Sequence, residues 1–213
     1  SFSILTDILY QIGKDSIEVH NLVPVGTDPH EYQPVPEDMK FASSADLFIY
    51  NGLNLEGGDN GWFSKLVQSV KADNNRVIEA SSTIQPMYLL VDEDDENMEV
   101  NPHSFISPVV GIEMAKTIGQ ALISVDEANK EFYEKNLEEY LAQLTIIEEK
   151  YRESFTSIPE EDRYFIASER AFQYLASEYG LTERFIWSVD TEENGSPDQI
   201  KNAIAFVKEN QPK

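Results

Sequence analysis

Short strand-like runs alternate with helix-like runs along most of this 213-residue chain. Residues 17–25, 46–50 and 164–167 have the composition of strands, and helical spacing of apolar residues follows, as in residues 62–70. Such alternation is typical of α/β layers built around a largely parallel sheet. The sequence therefore predicts an α/β fold in which helices flank mostly parallel strands.

One helical segment is much longer than the rest. Apolar residues recur at helical spacing from Phe132 to Phe155, and Ser124 with Glu127 has the pattern of a helix-capping box. At 1.5 Å per residue, its roughly 30 residues would extend ~45 Å, more than one ordinary domain layer. The irregular heptad argues against a coiled coil, so we expect one long rigid helix that joins two lobes.

The predicted domain boundaries follow from this helix. Residues 1–123 are expected to form an N-terminal α/β metal-binding lobe, 124–156 the bridging helix and 157–213 a C-terminal α/β lobe. A capping box at Ser196 and Gln199 opens the last predicted helix, and no strand follows it. Because two strands give a poor core, we expect the second lobe to be incomplete in this sequence.

Charge and cysteine content exclude several classes of function. The formal net charge is −23, and such a surface repels nucleic-acid phosphates, so no nucleic-acid partner is expected. The chain has no cysteine, which excludes disulfides, thiolate metal sites and cysteine nucleophiles. No apolar run approaches the ~18–20 residues that span a bilayer.

Three residues have the pattern of metal ligands. His30 and His103 each directly follow a proline, which restricts the backbone before both imidazoles. Each of them, like Glu169, is predicted to lie between a strand and a helix, at the sheet edge where ligands bind. Two imidazoles and one carboxylate suit Mn, Fe or Zn. The alternatives are ordinary loop histidines and a carboxylate at a helix N-terminus.

Two other features are interpreted as structural. His20 lies inside the strand-like run 17–25, so we expect it to serve the fold. The acidic stretch 92–99 lacks the alternation and the glycine of a calcium-binding EF loop, and a solvated loop is expected there.

Several long motifs resemble the metal-binding lipoproteins that serve as solute-binding components of bacterial manganese/zinc ABC transporters, the group that includes streptococcal surface adhesin-type lipoproteins. The first two are VPVGTDPHEYQPVPED at 23–38 and ADLFIYNGLNLE at 45–56. The others are NPH at 101–103, FYEKNL at 132–137, ASERAF at 167–172 and IWSVDTEENGSP at 186–197. The resemblance covers nearly the whole chain.

The resemblance implies two lobes joined by a rigid helix, with one ion between them. The family's two histidines fall on His30 and His103, and its glutamate falls on Glu169. With glutamate and not a third histidine as the third ligand, this chain resembles the manganese or iron branch of the family. Zinc-specialised members often carry a His-rich loop before the second ligand, whereas residues 92–100 here are acidic and contain no histidine.

The resemblance also implies a function. The expected protein captures Mn²⁺, with Zn²⁺ or Fe²⁺ as alternatives, carries it as transported ligand to an ABC permease and performs no chemistry. Its expected location is the extracellular face of the bacterial membrane, held by an N-terminal lipid anchor, or the periplasm. A metal-dependent hydrolase and a surface adhesion module are the alternatives.

This sequence departs from the family pattern in four places. The aspartate that supplies the family's fourth ligand has no counterpart before Lys213. The first strand and the lipid-bearing cysteine are expected upstream of Ser1. Asn101 stands where an acid usually precedes the Pro-His pair, and Arg170 replaces the small residue that commonly follows the glutamate.

Overall fold

The structure is a computed structural model that describes residues 1–89, 99–188 and 196–210. Most of the acidic stretch 92–99 and residues 189–195 of the last family motif therefore lie outside the described residues. The helices are α1 (Ser3–Gly13), α2 (Pro36–Ala42), α3 (Trp62–Ser69), α4 (Pro108–Val125), α5 (Lys130–Thr156), α6 (Gln173–Tyr179) and α7 (Pro197–Asn210). The strands are β1 (Phe48–Tyr50), β2 (Val77–Glu79), β3 (Tyr88–Leu89), β4 (Glu99–Val100), β5 (Tyr164–Glu169) and β6 (Thr182–Trp187).

The strands pair two by two. β1 pairs with β2 and β5 pairs with β6, both in parallel, and Glu169 at the end of β5 lies opposite Trp187. β3 and β4 pair in antiparallel fashion, with Tyr88 opposite Val100. Each parallel pair is connected through helices, as a parallel crossover requires. The predicted α/β class is therefore confirmed.

The chain divides into two compact units. Unit 1 comprises Ser1–Ile84 and Val109–Thr145, and unit 2 comprises Gln85–Pro108 and Ile146–Lys213. The division predicted from the sequence, at 1–123, 124–156 and 157–213, stays a prediction. Across the described ranges, none of the helices has both the length and the apolar composition needed to cross a lipid bilayer.

Unit 1 is built around the apolar faces of α1 and α4. Leu5, Ile8 and Ile12 of α1 are buried at helical spacing, as are Met114 and Ile118 of α4. The first half of α5 adds two more buried residues, Tyr133 and Asn136. The side-chain amide of its buried Asn136 donates to the buried carbonyl oxygen of Ile12 over 2.8 Å, and this bond satisfies one of the carbonyls that the C-terminal end of α1 leaves without a partner inside the helix.

Unit 2 contains β5, β6, α6 and α7. Tyr174, Leu175 and Tyr179 form the buried face of α6, which ends at Gly180 in the left-handed conformation, φ 64°. The predicted capping box at the start of α7 is confirmed, because Ser196 and Gln199 exchange hydrogen bonds of 2.6 and 3.2 Å.

Two local predictions are wrong. Residues 17–25 do not form a strand: the backbone N–H of Val23 donates to the carbonyl of Ser1, and the side-chain amide of Asn21 donates to the carbonyl of Val23. The long helix begins at Lys130 and not at 124, because α4 continues to Val125. The hydroxyl of Ser124 bonds back to its own helix, at the carbonyl of Ala121, and so does not cap α5.

Asp126 and the 3₁₀ turn Glu127–Asn129 separate α4 from α5. The carboxylate of Asp126 accepts hydrogen bonds from the amide of Asn129 and from the hydroxyl of Tyr133, both at 2.7 Å. These two hydrogen bonds lower the pKa of Asp126. The 27-residue length of α5 confirms the predicted long helix, while its role as a bridge between lobes stays a prediction.

Candidate metal centre

His103 and Glu169 face each other within unit 2. His103 opens a short 3₁₀ turn, His103–Ile106, just after β4, and Glu169 is the last residue of β5. The Nε2 atom of His103 lies 3.6 Å from Oε1 of Glu169. His103 is buried, at 7% exposure, whereas about a third (32%) of the Glu169 side chain is exposed.

The opposite edge of the His103 ring, at Nδ1, contacts Asn101. The backbone N–H of His103 donates to Oδ1 of Asn101 over 3.0 Å, and the ring Nδ1 lies 3.1 Å from the same oxygen. Because that oxygen can only accept, a hydrogen bond requires the proton to be on Nδ1. In the neutral imidazole, Nε2 then carries the lone pair and directs it toward Glu169.

The amide nitrogen of Asn101 contacts the segment that follows Glu169. Nδ2 donates to the carbonyl of Arg170 over 2.9 Å and to Oε1 of Gln173 over 3.0 Å. The hydroxyl of Tyr174 donates to the backbone carbonyl of Asn101 over 3.0 Å, and Asn101 is fully buried. One side chain therefore connects the segment that carries His103 to the segment that carries Glu169.

The spacing of the two donor atoms suits a metal ion. An ion roughly 2.1 Å from both atoms would see them at an angle of roughly 120°. A carboxylate oxygen and an unprotonated imidazole nitrogen both present lone pairs, so a cation between them is favoured over empty space. The arrangement within unit 2 can therefore supply two of the ligands of a divalent ion.

His30 belongs to unit 1, where its loop is fixed on both sides. Its backbone N–H donates to Oδ1 of Asp28 over 2.8 Å, and its ring is half-buried. On the upstream side, the indole N–H of Trp62 donates to the carbonyl of Pro29 over 2.7 Å. The sequence placed His30 between a strand and a helix, and the structure has only the helix, α2, after it.

Downstream of His30, the loop is fixed by Asp38 in the first turn of α2. Its buried carboxylate accepts hydrogen bonds from the hydroxyl of Tyr32, from the amide of Val35 and from Nε2 of His20, over 2.7, 2.8 and 2.8 Å. Burial raises the pKa of Asp38, but these hydrogen bonds together lower it below its usual range. Burial and the Asp38 carboxylate raise the pKa of Tyr32 to about 12.

Two residues near the predicted ligands behave as structural groups. His20 bonds to Asp38 and stacks on Phe41, with ring centroids 4.0 Å apart, so its structural interpretation is confirmed. The guanidinium of Arg170 lies over the ring of Phe185, 5.1 Å from the centroid. Sequence reasoning missed the roles of Asp38 and of Trp62, which lies at the start of the helical run predicted at 62–70.

Each candidate ligand thus has a defined place. The structure brings His103 and Glu169 together within unit 2, and in unit 1 the loop of His30 is held by contacts from Asp28 and Trp62. Asn101 is a third residue beside His103 and Glu169. In the sequence it was visible as an amide at the position before Pro102 where the family resemblance led us to expect an acid.

Known proteins match this chain along its length. The manganese ABC transporter substrate-binding lipoprotein PsaA of Streptococcus anginosus is 41% identical over 208 residues, which cover 97% of this chain and 67% of the relative. The metal ABC transporter substrate-binding lipoprotein FimA of Streptococcus parasanguinis is 42% identical over 208 residues, with the same shares. The chain thus spans about two thirds (67%) of these relatives.

Solved structures match it as well. A Mn-bound periplasmic metal binding protein from Candidatus Liberibacter asiaticus has a TM-score of 0.83 and 29% identity, and the match covers 100% of this chain and 76% of that one. The Cd-bound form has a TM-score of 0.85 and 28% identity, over 100% and 75% of the two chains. The family model described as the periplasmic zinc-uptake complex component A matches residues 1–213. This chain therefore belongs to the ZnuA family.

Proposed function

We propose that this protein is an extracytoplasmic solute-binding protein that captures one divalent transition-metal ion and delivers it to the permease of an ABC transporter. The observation that carries the proposal is the pair formed by His103 Nε2 and Glu169 Oε1, 3.6 Å apart. Membership of the ZnuA family and the names of the streptococcal relatives support it.

His30 is proposed as the third ligand. The chain has three histidines, and His20 already bonds to Asp38. His30 and His103 remain, each directly after a proline, and the contacts of Pro29 and Asp28 restrain the backbone at His30. A restrained ligand loses less conformational entropy when it binds an ion, so this loop is suited to the role.

Mn²⁺ is the proposed ion, ahead of Zn²⁺ and Fe²⁺. The donor set contains no sulfur, since the chain has no cysteine, and its carboxylate is a hard ligand that Mn²⁺ accepts. The name of the Streptococcus anginosus relative, a manganese ABC transporter substrate-binding lipoprotein, also favours Mn²⁺. Zn²⁺ normally binds nitrogen and oxygen ligands more tightly than Mn²⁺, so selectivity would depend on geometry and supply.

The ion is proposed as cargo and not as a catalyst. Hydrolysis at a metal needs an open coordination position and a general base beside it, and the sequence has no His-Glu-x-x-His motif to provide one. Capture and release, with no bond made or broken in another molecule, is the activity that we assign. A lipid anchor at the extracellular face of the membrane, or a periplasmic location, belongs to the same proposal.

Calorimetric titration of the metal-stripped protein with Mn²⁺ and Zn²⁺ tests the proposal. His30→Ala and Glu169→Ala are expected to abolish one-to-one binding or to weaken it at least about 100-fold, since each removes a ligand. Glu113→Ala is the matched control: it removes an exposed carboxylate of α4 and should leave binding unchanged. The control is needed because a net charge of −23 attracts cations weakly everywhere.

Two results would overturn the proposal. One is a wild-type protein that binds neither Mn²⁺ nor Zn²⁺ with one-to-one stoichiometry. The other is binding that the ligand variants retain, or that Glu113→Ala weakens as much as they do, since both patterns indicate surface attraction.

A further inference from the structure

We propose that Asn101 is a positioning residue whose amide group sets the metal affinity of this protein. It does so by placing the proton of His103 on Nδ1 and by connecting the two ligand segments of unit 2. The inference rests on the proposed function, because it concerns the affinity of that same site.

The orientation of the Asn101 amide follows from its partners. The backbone N–H of His103 is a donor, so the atom that it meets at 3.0 Å must be the amide oxygen. The carbonyl of Arg170 is an acceptor, so the atom that it meets at 2.9 Å must be the amide nitrogen. Both contacts give the same orientation, and the oxygen therefore faces the His103 ring.

Gln173 supports this orientation independently. Its Nε2 donates to the backbone carbonyl of Tyr88 over 3.1 Å, so its other amide atom, Oε1, must be the one that faces Asn101. Nδ2 of Asn101 thus meets two acceptors with its two hydrogens. The requirement for donors on one side and an acceptor on the other is met by an amide and not by a carboxylate.

A carboxylate at position 101 would retain one of these roles and lose the other. In Asn101→Asp, one oxygen can still accept from Nδ1 of His103, but the second oxygen would face the carbonyl of Arg170 and Oε1 of Gln173 with no hydrogen to share. Buried acceptors set against each other without a donor are destabilising. Asn101→Leu loses both roles and keeps the same number and branching of side-chain heavy atoms.

The two variants therefore separate proton placement from segment connection. The first readout is the His103 tautomer, obtained from long-range ¹H–¹⁵N spectra of metal-free, ¹⁵N-histidine-labelled protein at a pH where the ring is neutral. The wild type and Asn101→Asp are expected to have the proton on Nδ1, and Asn101→Leu is expected to populate the Nε2–H form. The second readout is calorimetric Mn²⁺ affinity, which should fall about 10- to 100-fold in both variants, the usual effect of losing a group that orients a ligand.

Leu175→Ala is the matched control for loss of stability alone. Leu175 is buried on α6 in the same unit and takes no part in the hydrogen bonds of Asn101, so Leu175→Ala should lower stability and keep both the Nδ1–H form and the Mn²⁺ affinity. The inference is overturned if Asn101→Leu keeps the proton on Nδ1, or if either Asn101 variant binds Mn²⁺ like the wild type. A wild-type protein that binds neither Mn²⁺ nor Zn²⁺ would instead refute the proposed function, and the tautomer readout, which is measured without metal, would still test Asn101.

Discussion

The indole N–H of Trp62 donates to the backbone carbonyl of Pro29 over 2.7 Å, one peptide bond before His30. Trp62 is the first residue of α3 and is nearly buried, and its ring also meets Tyr32 edge-on, with centroids 5.2 Å apart. One side chain of α3 thus contacts the loop on both sides of His30. The position of a proposed metal ligand therefore depends on a helix that supplies no ligand itself.

Trp62→Phe should weaken metal binding as well as the fold. Phenylalanine keeps an aromatic ring beside Tyr32 but removes the N–H, so the carbonyl of Pro29 loses its donor and the loop gains freedom. We expect Mn²⁺ affinity to fall about 10-fold by calorimetry. The free energy of unfolding should fall by about 1–2 kcal/mol in chemical denaturation.

Phe63→Leu is the comparison for this prediction. Phe63 is the next residue of α3, is buried, and stacks on Tyr50 at 4.9 Å. Its truncation should cost a similar amount of stability and leave Mn²⁺ affinity near the wild-type value. Equal losses of affinity in the two variants would show that α3 acts only through overall stability.

Asp38→Asn should lower the stability of unit 1 at neutral pH and make that stability less sensitive to acid pH. The hydrogen bonds from His20, Tyr32 and the Val35 amide lower the folded-state pKa of Asp38 below its unfolded value. Such a carboxylate contributes stability above its unfolded pKa, about 3.9, and that contribution is lost as the pH falls through the folded-state pKa. The substitution is expected to cost about 1–3 kcal/mol at neutral pH.

Denaturant titrations at a series of pH values test this. The stability difference between the wild type and Asp38→Asn should be largest at neutral pH and should shrink below about pH 4. Asp46→Asn, at an exposed carboxylate in the same unit, should give a small difference at neutral pH. A wild-type-to-Asp38→Asn difference that stays constant down to acid pH would contradict the assignment.

Features that depend on neighbours along the chain were predictable from the sequence. The Ser196–Gln199 capping box has its expected place, because the two partners lie within one helical turn. The run 17–25 has the composition of a strand, but a strand also needs a neighbour for its backbone. In the structure, Val23 bonds to Ser1 instead, and local composition could not reveal that.

The candidate metal centre shows the same limit. The proposed ligands and the prolines before the two histidines were visible in the sequence, and so was Asn101 before Pro102. The reason for the amide was not visible, because Gln173 lies 72 residues away along the chain. Trp62 is likewise 33 residues from Pro29, so only the tertiary structure connects it to His30.

Ser196→Ala should destabilise α7 selectively. The serine hydroxyl accepts from the amide of Gln199, and the Gln199 side chain accepts from the amide of Ser196, so one substitution breaks one of two reciprocal bonds. Loss of such a cap costs about 0.5–2 kcal/mol, and amide hydrogen exchange in α7 should quicken accordingly. Lys201→Ala breaks an exposed pair with Asp198 and should change exchange far less. Equal acceleration in both variants would contradict the capping role.

Gly61→Ala should damage both the fold of unit 1 and the loop that carries the proposed ligand His30, whereas Gly111→Ala should not. A Cβ at Gly61 would collide with the backbone carbonyl of Glu56 and with the backbone of Gly57, which no side-chain rotation can relieve. The expected cost is about 1–3 kcal/mol. Because Gly61 immediately precedes Trp62, the same shift should displace the indole from Pro29 and lower Mn²⁺ affinity.

At Gly111, inside α4, a Cβ meets no heavy atom within 4 Å, so alanine should stabilise the helix by about 0.5–1 kcal/mol. Thermal unfolding and calorimetry of the two variants test the pair, and a Gly61→Ala protein with wild-type stability would show that the loop at Glu56 yields easily.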